Sequence, residues 1–231
     1  MPEDTAEHGR TGRPPITSRA AILNAARTLI DRDGWERLTI RRLAAELGIG
    51  PTTLYHHVQN KQDLLLLLLN EYAEQIQLPA LSSAPRERIV TCTAALHDAL
   101  AAWPWATEIL TVDGFVGLLS DSALSLVEQI VAAAVDHGCT ADQAVDIFRS
   151  LWYFTAGEIL VRARSERGRK SGEYPSPGGF DNLDSPRLPH LSAVGARWPV
   201  LAERDIYLQG LEAFVDGLLA RATSPGSAPT A

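Results

Sequence analysis

Two short segments with helical spacing, separated by a single glycine, constrain the fold of this chain more than any other feature. The first segment, IRRLAAEL, covers residues 40–47, and Thr39 is its expected N-cap. Its apolar side chains lie on one helical face, at Ile40, Leu43, Ala44 and Leu47. Gly48 ends the segment, and Pro51 or Thr52 opens the next one, because proline is tolerated in the first turn of a helix. Two helices joined in this way predict a helix-turn-helix.

Helical periodicity extends over nearly all of residues 16–222, and the sequence lacks alternating β-branched runs with tight glycine turns. We therefore predict an all-α chain that begins with a three-helix helix-turn-helix domain. Further helices are expected at 17–32, 60–78, 86–103, 121–137, 140–167, 186–197 and 202–221. The predicted domains are a disordered arm at 1–15, the helix-turn-helix domain at 16–62, a second helical domain at 63–222 and a disordered tail at 223–231. Glycine, proline and serine in 168–190 predict a flexible loop.

Charge is divided unevenly along the chain, whose net charge is −7 over 231 residues. Residues 10–62 hold nine arginines and lysines against four acids, which gives +5. Residues 63–231 hold 12 bases against 21 acids, which gives −9. Such asymmetry indicates a nucleic-acid-binding module joined to a part with another role.

Six consecutive leucines, residues 64–69, raise the question of a membrane segment. A spanning helix needs about 20 apolar residues, so this run is too short. Residues 1–15 lack the apolar core of a secretion signal, and we predict a cytoplasmic protein with no membrane partner. Because six residues cover about 500° of helical arc, the leucines must be covered on several sides. We interpret this helix as the connection between a DNA-reading surface and the rest of the protein.

An enzyme is the main alternative from another functional class. The sequence contains no nucleophile elbow, no glycine-rich phosphate loop and no paired carboxylates at helical spacing. Asp98, Glu108 and Glu158 stand alone in the sequence and are interpreted as surface or local polar groups. We predict that the chain is not an enzyme and uses no cofactor, while a helical enzyme remains the less favoured alternative.

The second helix of the predicted helix-turn-helix is rich in side chains that can bind DNA. Thr52 and Thr53 can bond phosphates or contact a thymine methyl group, and Tyr55 and His57 can reach phosphate oxygens. Cationic side chains flank the helix at Arg41 and Lys61. The other interpretation of the same pattern is a small helical corner with a polar surface; the positive charge and the helix-turn-helix spacing favour DNA. Neighbouring residues on a helix point about 100° apart, so His56 and His57 are not predicted to bind a metal.

The stretch LTIRRLAAELGIGPTTLYHHVQNKQDLL resembles the DNA-binding segment of TetR-family transcriptional regulators. The similarity includes the lead-in Gly34, Leu38 and Thr39, the core from Arg42 to Gly48, and the ending from Thr53 to Lys61. This ending is closest to the tetracycline repressor subgroup. Two later stretches, YFTAGEIL and YLQGLEAFVDGLL, are similar to the dimerisation helices of that subgroup.

The resemblance implies an all-α homodimer with two DNA-reading heads, a palindromic double-stranded operator and a ligand-binding and dimerisation domain at 63–222. Apolar stripes on the two later helices are, on general grounds, more often part of a protein's own core. The resemblance favours the dimer interface instead for the stripes Ile147, Leu151, Phe154 and Val161 on one helix, and Leu208, Leu211, Val215 and Leu218 on the other. The residues that it assigns to DNA contact, with the N-cap included, are Thr39, Arg41, Pro51, Thr52, Thr53, Tyr55, His56, His57 and Lys61.

The resemblance also assigns candidate effector-binding positions. These are Tyr72, Ile76, Gln77, Cys92, Leu96, Leu100, Leu110, Val127, Ile130, Phe148 and Trp152. Trp103 and Trp105 flank Pro104 and are expected to form an aromatic wall. The tetracycline repressor holds a magnesium–drug chelate through a His and a Glu, whereas this chain carries Leu110 and Val161 at the aligned positions. We therefore expect a mostly apolar or aromatic effector bound without metal, with repression as the outcome that the resemblance suggests. Ordinary core packing at these positions, and a constitutive DNA-binding dimer without an effector, remain alternatives.

Overall fold

The computed structural model describes residues 18–76, 80–111, 115–172 and 183–223, and within these ranges all regular structure is helical. The prediction of an all-α fold is confirmed. The α-helices are α1 (Arg19–Asp33), α2 (Ile40–Glu46), α3 (Pro51–Tyr55), α4 (Lys61–Ala73), α5 (Pro85–Ala101), α6 (Pro104–Ile109), α7 (Asp121–Asp136), α8 (Ala141–Ser171), α9 (Pro189–Val194), α10 (Trp198–Ala202) and α11 (Tyr207–Ala222). Short 3-10 helices lie at Trp35–Arg37, Phe115–Leu118 and Gly195–Arg197.

The chain forms two compact units, Met1–Ala73 and Glu74–Ala231. The N-terminal unit therefore includes α4, whereas the functional division predicted from the sequence lies between residues 62 and 63. Residues 1–17 and 224–231 lie outside the described residues, and so do the predicted disordered arm and nearly all of the predicted tail.

The N-terminal unit packs four helices around a leucine-rich core. Ser18 caps α1 by accepting a hydrogen bond from Ala21 N at 3.1 Å, and Thr39 caps α2 by accepting from Arg42 N at 3.2 Å. These caps satisfy backbone donors that a helix start leaves free. Helix α4 buries four of its leucines, namely Leu64, Leu65, Leu68 and Leu69.

The C-terminal unit is built around α5, α7, α8 and α11. Side chains from all four helices meet in one core, where Ile89, Ile130, Leu151 and Leu211 are fully buried. Thr140 begins α8 with a capping box: its hydroxyl accepts from Gln143 N at 3.3 Å, and its own N–H donates to the Gln143 side chain at 2.9 Å.

Several helix boundaries differ from those predicted. Helix α4 ends at Ala73 rather than near residue 78, and no strong stop signal in residues 74–76 marks that end. Pro104 ends a helix as predicted, but it also occupies the first turn of α6, a helix that the prediction lacks. Gly168 opens the predicted loop, yet it lies buried inside α8, which continues to Ser171. An interior glycine costs a helix only about 1 kcal/mol, and packing offsets that.

The predicted loop, residues 168–190, is helical at both of its ends. Residues 168–171 belong to α8, and α9 begins at Pro189. Residues 173–182, the middle of the predicted loop, lie outside the described residues. Among the described helices, none combines the length and the apolar character needed to cross a membrane.

Candidate DNA-reading surface and effector unit

The turn between α2 and α3 is closed by backbone hydrogen bonds. Gly48 N donates to Ala45 O at 3.1 Å, and Ile49 N donates to Ala44 O at 3.0 Å. Gly48 has a φ of 68°, in the left-handed region that a Cβ would penalise. Leu54 of α3 is fully buried beneath the turn, so the outer face of α3 has one fixed orientation relative to α2.

Most of the side chains predicted to contact DNA lie on the outside of this helical corner. The exposed members of the set are Thr39, Arg41, Pro51, Thr52, Thr53, Tyr55, His56 and His57. Tyr55 is 53% exposed, a large fraction for an aromatic side chain. Helix α3 ends at Tyr55, so His56 and His57 lie in the turn that follows it rather than on the helix.

The neighbouring arginines of α2 have different environments. The Arg42 side chain is exposed, but contacts within the N-terminal unit hold it: its guanidinium pairs with Asp33 Oδ2 at 2.5 Å and donates to Arg37 O at 3.1 Å. Burial raises the pKa of Asp33, but hydrogen bonds and charges from Arg32 and Arg42 outweigh it and lower that pKa below its usual value. Arg41 is exposed and has no ion-pair partner in the part of the chain that the structure describes. It is therefore the arginine of α2 that is available to a phosphate.

Lys61 differs from the other predicted DNA contacts because it is partly buried. Its Nζ donates to Glu36 O at 3.0 Å and lies 4.8 Å from the centre of the Trp35 ring. Burial lowers the pKa of Lys61. In the free protein this side chain ties the start of α4 to the 3-10 helix Trp35–Arg37.

The predicted effector positions fall into three groups. The first is buried in the C-terminal unit: Cys92, Leu100, Trp105, Leu110, Ile130, Phe148 and Trp152. The second is partly buried there: Ile76, Leu96, Trp103 and Val127. Tyr72 belongs to the N-terminal unit, and Gln77 lies outside the described residues. Because Cys92, Ile130 and Phe148 are also members of the hydrophobic core, each has a packing role whatever else it does.

A polar cluster that the sequence did not reveal connects α5 to α8. His97 Nε2 lies 2.8 Å from Glu158 Oε2, and His97 Nδ1 lies 3.0 Å from Asp98 Oδ1. Arg162 Nε donates to the other oxygen of Glu158 at 2.5 Å. Asp98, at 83% exposure, is a surface group as interpreted, but none of the three acids is isolated in the fold: Glu158 pairs with His97 and Arg162, and Glu108 pairs with Arg167 at 3.0 Å.

The same cluster extends to α11 through an aromatic contact. The ring of Tyr207 stacks on His97, with ring centres 3.7 Å apart. The Tyr207 hydroxyl lies 2.8 Å from Thr155 Oγ1 in a buried hydrogen bond. Burial raises the pKa of Tyr207 to about 12; the Thr155 hydrogen bond opposes that rise, and the charges of Glu158 and Asp98 add to it. His97 and Glu158 are 61 residues apart, so only the folded chain shows the cluster.

Metal ligation finds no support in the described residues, where no three His, Cys, Asp or Glu side chains are grouped to hold an ion. Burial raises the pKa of both the Cys92 and the Cys139 thiol, which favours the neutral form of each.

Comparison with known proteins decides the family. The family of bacterial regulatory proteins described as "tetR family" matches residues 22–68, and the tetracyclin repressor-like C-terminal domain matches residues 78–222. The chain belongs to the TetR family. An HTH-type transcriptional regulator of Saccharopolyspora erythraea is 34% identical over 187 residues, which is 71% of this chain and 78% of the relative.

Two further proteins resemble this chain over most of its length. An HTH-type transcriptional repressor of Streptomyces coeruleorubidus is 28% identical to this chain. The match covers 93% of this chain and 82% of the repressor. The structure of ActR from Streptomyces coelicolor in complex with actinorhodin matches with a TM-score of 0.73 at 23% identity, over 92% of this chain and 99% of that one. The predictions of a TetR-type transcriptional regulator and of a non-enzymatic role are confirmed.

The helix stripes predicted to form the dimer interface of this TetR-family chain are partly wrong. Side chains from both stripes lie in the core of a single protomer: Ile147, Leu151, Leu211 and Val215. Other members of the predicted stripes stay exposed, namely Val161 on α8 at 68% and Leu208 on α11 at 52%. Tyr153, which the predicted stripe did not include, is 59% exposed on α8. Apolar spacing identifies a helix face that is covered, but not whether the same chain covers it.

The Tyr207–Thr155 hydrogen bond predicts a pH-dependent difference between the wild type and Tyr207→Phe. Because the folded pKa of Tyr207 is raised above the unfolded value, the folded state binds more protons above pH 10. The raised pKa of Tyr207 makes a contribution to the free energy of unfolding that is complete below the unfolded pKa. This contribution falls as pH rises from about 10 towards 12, by up to about 1.4 kcal/mol per pH unit.

Below pH 9, Tyr207→Phe should lower the free energy of unfolding of the C-terminal unit by about 1–3 kcal/mol, since it leaves the Thr155 hydroxyl buried without its partner. Denaturant titrations from pH 8 to pH 11 should show this difference shrinking above pH 10. A difference that stays constant over the range would contradict the buried environment assigned to Tyr207.

Proposed function

We propose that this protein is a dimeric regulator that binds a palindromic operator in double-stranded DNA and is released by a small, mostly apolar or aromatic effector. Repression is the favoured outcome, since a relative that matches 93% of this chain is named as a transcriptional repressor. A cytoplasmic location remains part of the proposal, because it fits a DNA-binding regulator. A helix-turn-helix whose outer face exposes Thr52, Thr53 and Tyr55 is the observation that carries the proposal.

DNA reading is assigned to the residues around α3. Its Pro51–Tyr55 segment begins at an exposed surface, where short polar side chains can reach base edges in a major groove. Arg41 can bind a phosphate without first breaking an ion pair, because the described residues hold no partner for it. Lys61 can make its predicted contact with DNA only if its Nζ leaves the main-chain oxygen of Glu36 and binds a phosphate oxygen instead. The same surface includes Thr39, Pro51, Thr52, His56 and His57, which stay in the proposed site.

The decisive experiment selects bound sequences from a random DNA pool with the wild-type protein and then measures variants on the selected operator. Replacing both Thr53 and Tyr55 by alanine should reduce the preference for the operator over unrelated DNA, by about 1–3 kcal/mol for each base that the variant no longer reads. Fluorescence anisotropy at fixed salt measures that preference. Unchanged preference in the double variant would show that α3 does not read the sequence.

Arg41→Gln and Arg42→Gln form a matched pair on one helix. Arg41→Gln should weaken binding to all sequences and reduce the slope of log affinity against log salt by about one, without changing stability. Arg42→Gln breaks the contacts with Asp33 and Arg37, so it should mainly lower the stability of the N-terminal unit. The reverse pattern would assign the phosphate contact to Arg42.

Dimerisation is assigned to the outward faces of α8 and α11. Tyr153 and Val161 on α8 and Leu208 on α11 are large apolar side chains that are more than half exposed. A Cβ placed on Gly157 or on Gly217 would meet no atom within 4 Å, so another helix can approach both positions closely. Two such helices from each chain would form a four-helix bundle, and tandem heads would match half-sites about 34–36 Å apart.

Substituting Gly157 tests this interface. Gly157→Arg fits the isolated protomer, since the space beyond the glycine is open, but it places a charge and a long side chain in the proposed bundle. We expect the dimer to dissociate at least about tenfold more readily, measured by analytical ultracentrifugation. Gly117→Arg is the control, because its glycine is also exposed and open and lies on the 3-10 helix Phe115–Leu118. If both variants dissociate equally readily, the dimer interface does not include Gly157.

Effector binding is assigned to the C-terminal unit, on two supports. Apolar and aromatic side chains dominate the candidate positions there, among them Trp103, Trp105 and Trp152. The ActR complex in the comparison contains actinorhodin. The remaining candidates of this unit stay in the proposed set: Ile76, Gln77, Cys92, Leu96, Leu100, Leu110, Val127, Ile130 and Phe148.

Thermal-shift screening of aromatic compounds, paired with operator gel shift, tests the effector proposal. A true effector should raise the melting temperature and release DNA at the same concentrations, with a coupling of about 1–3 kcal/mol between the two sites. Metal-free binding predicts the same release with and without magnesium. Release by tetracycline only when magnesium is present would overturn that part, and a screen without any releasing compound would favour the constitutive dimer.

A further inference from the structure

A partly buried ion pair joins the first and the last helix of the N-terminal unit. The guanidinium of Arg27 on α1 lies 2.8 Å from Glu71 Oε2 on α4, and the two side chains are 23% and 29% exposed. Its Cζ atom also lies 4.8 Å from the centre of the Tyr72 ring. Asn24, one turn earlier on α1, accepts a hydrogen bond from Arg27 at 3.1 Å and holds the guanidinium in place.

The contacting atoms of this pair are shielded from water. Arg27 Nε and Nη2 and Glu71 Oε2 are buried, and none has a hydrogen bond of good geometry among the described residues. The 2.8 Å approach is therefore an electrostatic contact whose N–H groups are not aimed at the carboxylate. Removing one member of such a pair leaves the other charge buried without compensation, so a substitution at either position should loosen this end of α4. Burial also raises the pKa of Tyr72, which shows the same exclusion of water.

The position of the pair along α4 gives it a role beyond stability. The buried leucines of α4 end at Leu69, so Glu71 and Tyr72 extend the attachment to α1 into the last turn of the helix. At its other end, α4 is attached through Lys61 to Glu36 and Trp35. Helix α4 is thus fixed at both ends, and the chain passes into the C-terminal unit directly after Ala73.

We infer that Arg27 is a positioning residue: its contact with Glu71 and Tyr72 fixes the direction in which the chain leaves the N-terminal unit, and so fixes the operator half-site spacing that the dimer accepts. The inference rests on the proposed function, since half-site spacing has meaning only for a dimer on a palindrome. It gives Tyr72 a role in the N-terminal unit that differs from the effector contact expected from the sequence.

The test compares the operator selected by the wild-type protein with the same operator lengthened by one central base pair. A head held in one direction should discriminate strongly between the two spacings. Arg27→Gln and Glu71→Gln should each reduce the ratio of the two affinities by about three- to tenfold, while binding to an isolated half-site stays unchanged. Arg27→Lys keeps the charge and should restore most of the discrimination.

Arg32→Gln is the matched control. Arg32 also lies on α1 and forms an ion pair within the N-terminal unit, with Glu46 at 3.3 Å, but neither of its paired carboxylates, Asp33 and Glu46, is on α4. Its spacing ratio should equal that of the wild type. An unchanged ratio of the two affinities in folded Arg27→Gln would overturn the inference. The inference also fails if Arg32→Gln lowers that ratio as much as Arg27→Gln does, or if the wild type binds both spacings equally well.

Hydrogen exchange in the protein without DNA separates this inference from the proposed function. Arg27→Gln should speed the exchange of amides in residues 70–73 by about tenfold and leave those of α2 and α3 unchanged. Unchanged exchange in residues 70–73 would show that the ion pair does not hold the last turn, whatever the protein binds. Faster exchange throughout the unit would reduce Arg27 to a structural role. If the wild type selects no palindrome, the proposed function is refuted. The exchange result then still decides whether the Arg27–Glu71 contact holds the last turn of α4.

Discussion

The crossing of α2 over α3 is the constraint on which the proposed DNA-reading surface depends. Gly48 allows the chain to turn with a positive φ, and the small side chain of Ala44, fully buried, lets the two helices pack closely. Leu54 fills the space beneath. With the inner face of α3 committed to the core, its short polar side chains can only point outward. The reading surface therefore follows from packing, and its chemistry follows from which residues packing leaves exposed.

Charge pairs then set how this corner is attached to the rest of the N-terminal unit. Arg42 and Lys61 lie near the predicted DNA surface, yet both make contacts within the unit: Arg42 pairs with the Asp33 carboxylate, and Lys61 donates to the main-chain oxygen of Glu36. Arg27 connects the far end of α4 to α1. Basic side chains thus have two uses in a segment whose net charge is positive: some hold the unit together, and others, such as Arg41, remain open to solvent.

The C-terminal unit combines an apolar core with a partly buried polar cluster. His97, Glu158, Tyr207 and Thr155 join α5, α8 and α11 through hydrogen bonds and a ring stack. Hydrophobic contact alone tolerates sliding of one helix along another, whereas directed hydrogen bonds specify one register. The cluster therefore defines how the helices that carry many of the predicted effector residues are aligned. Its members are far apart in sequence, which explains why their spacing carried no signal.

The sequence by itself determined the helical class, the helix-turn-helix and the family, because these depend on local patterns: apolar spacing, caps such as Thr39, and the turn at Gly48. Tertiary structure decided everything that depends on which neighbour covers a side chain. It ended α4 at Ala73 without a local stop signal, allowed Gly168 to lie inside α8, and buried Leu151 and Leu211 in one protomer while leaving Val161 exposed. Apolar spacing shows that one side of a helix is apolar, but only the arrangement of the helices decides which neighbour covers that side.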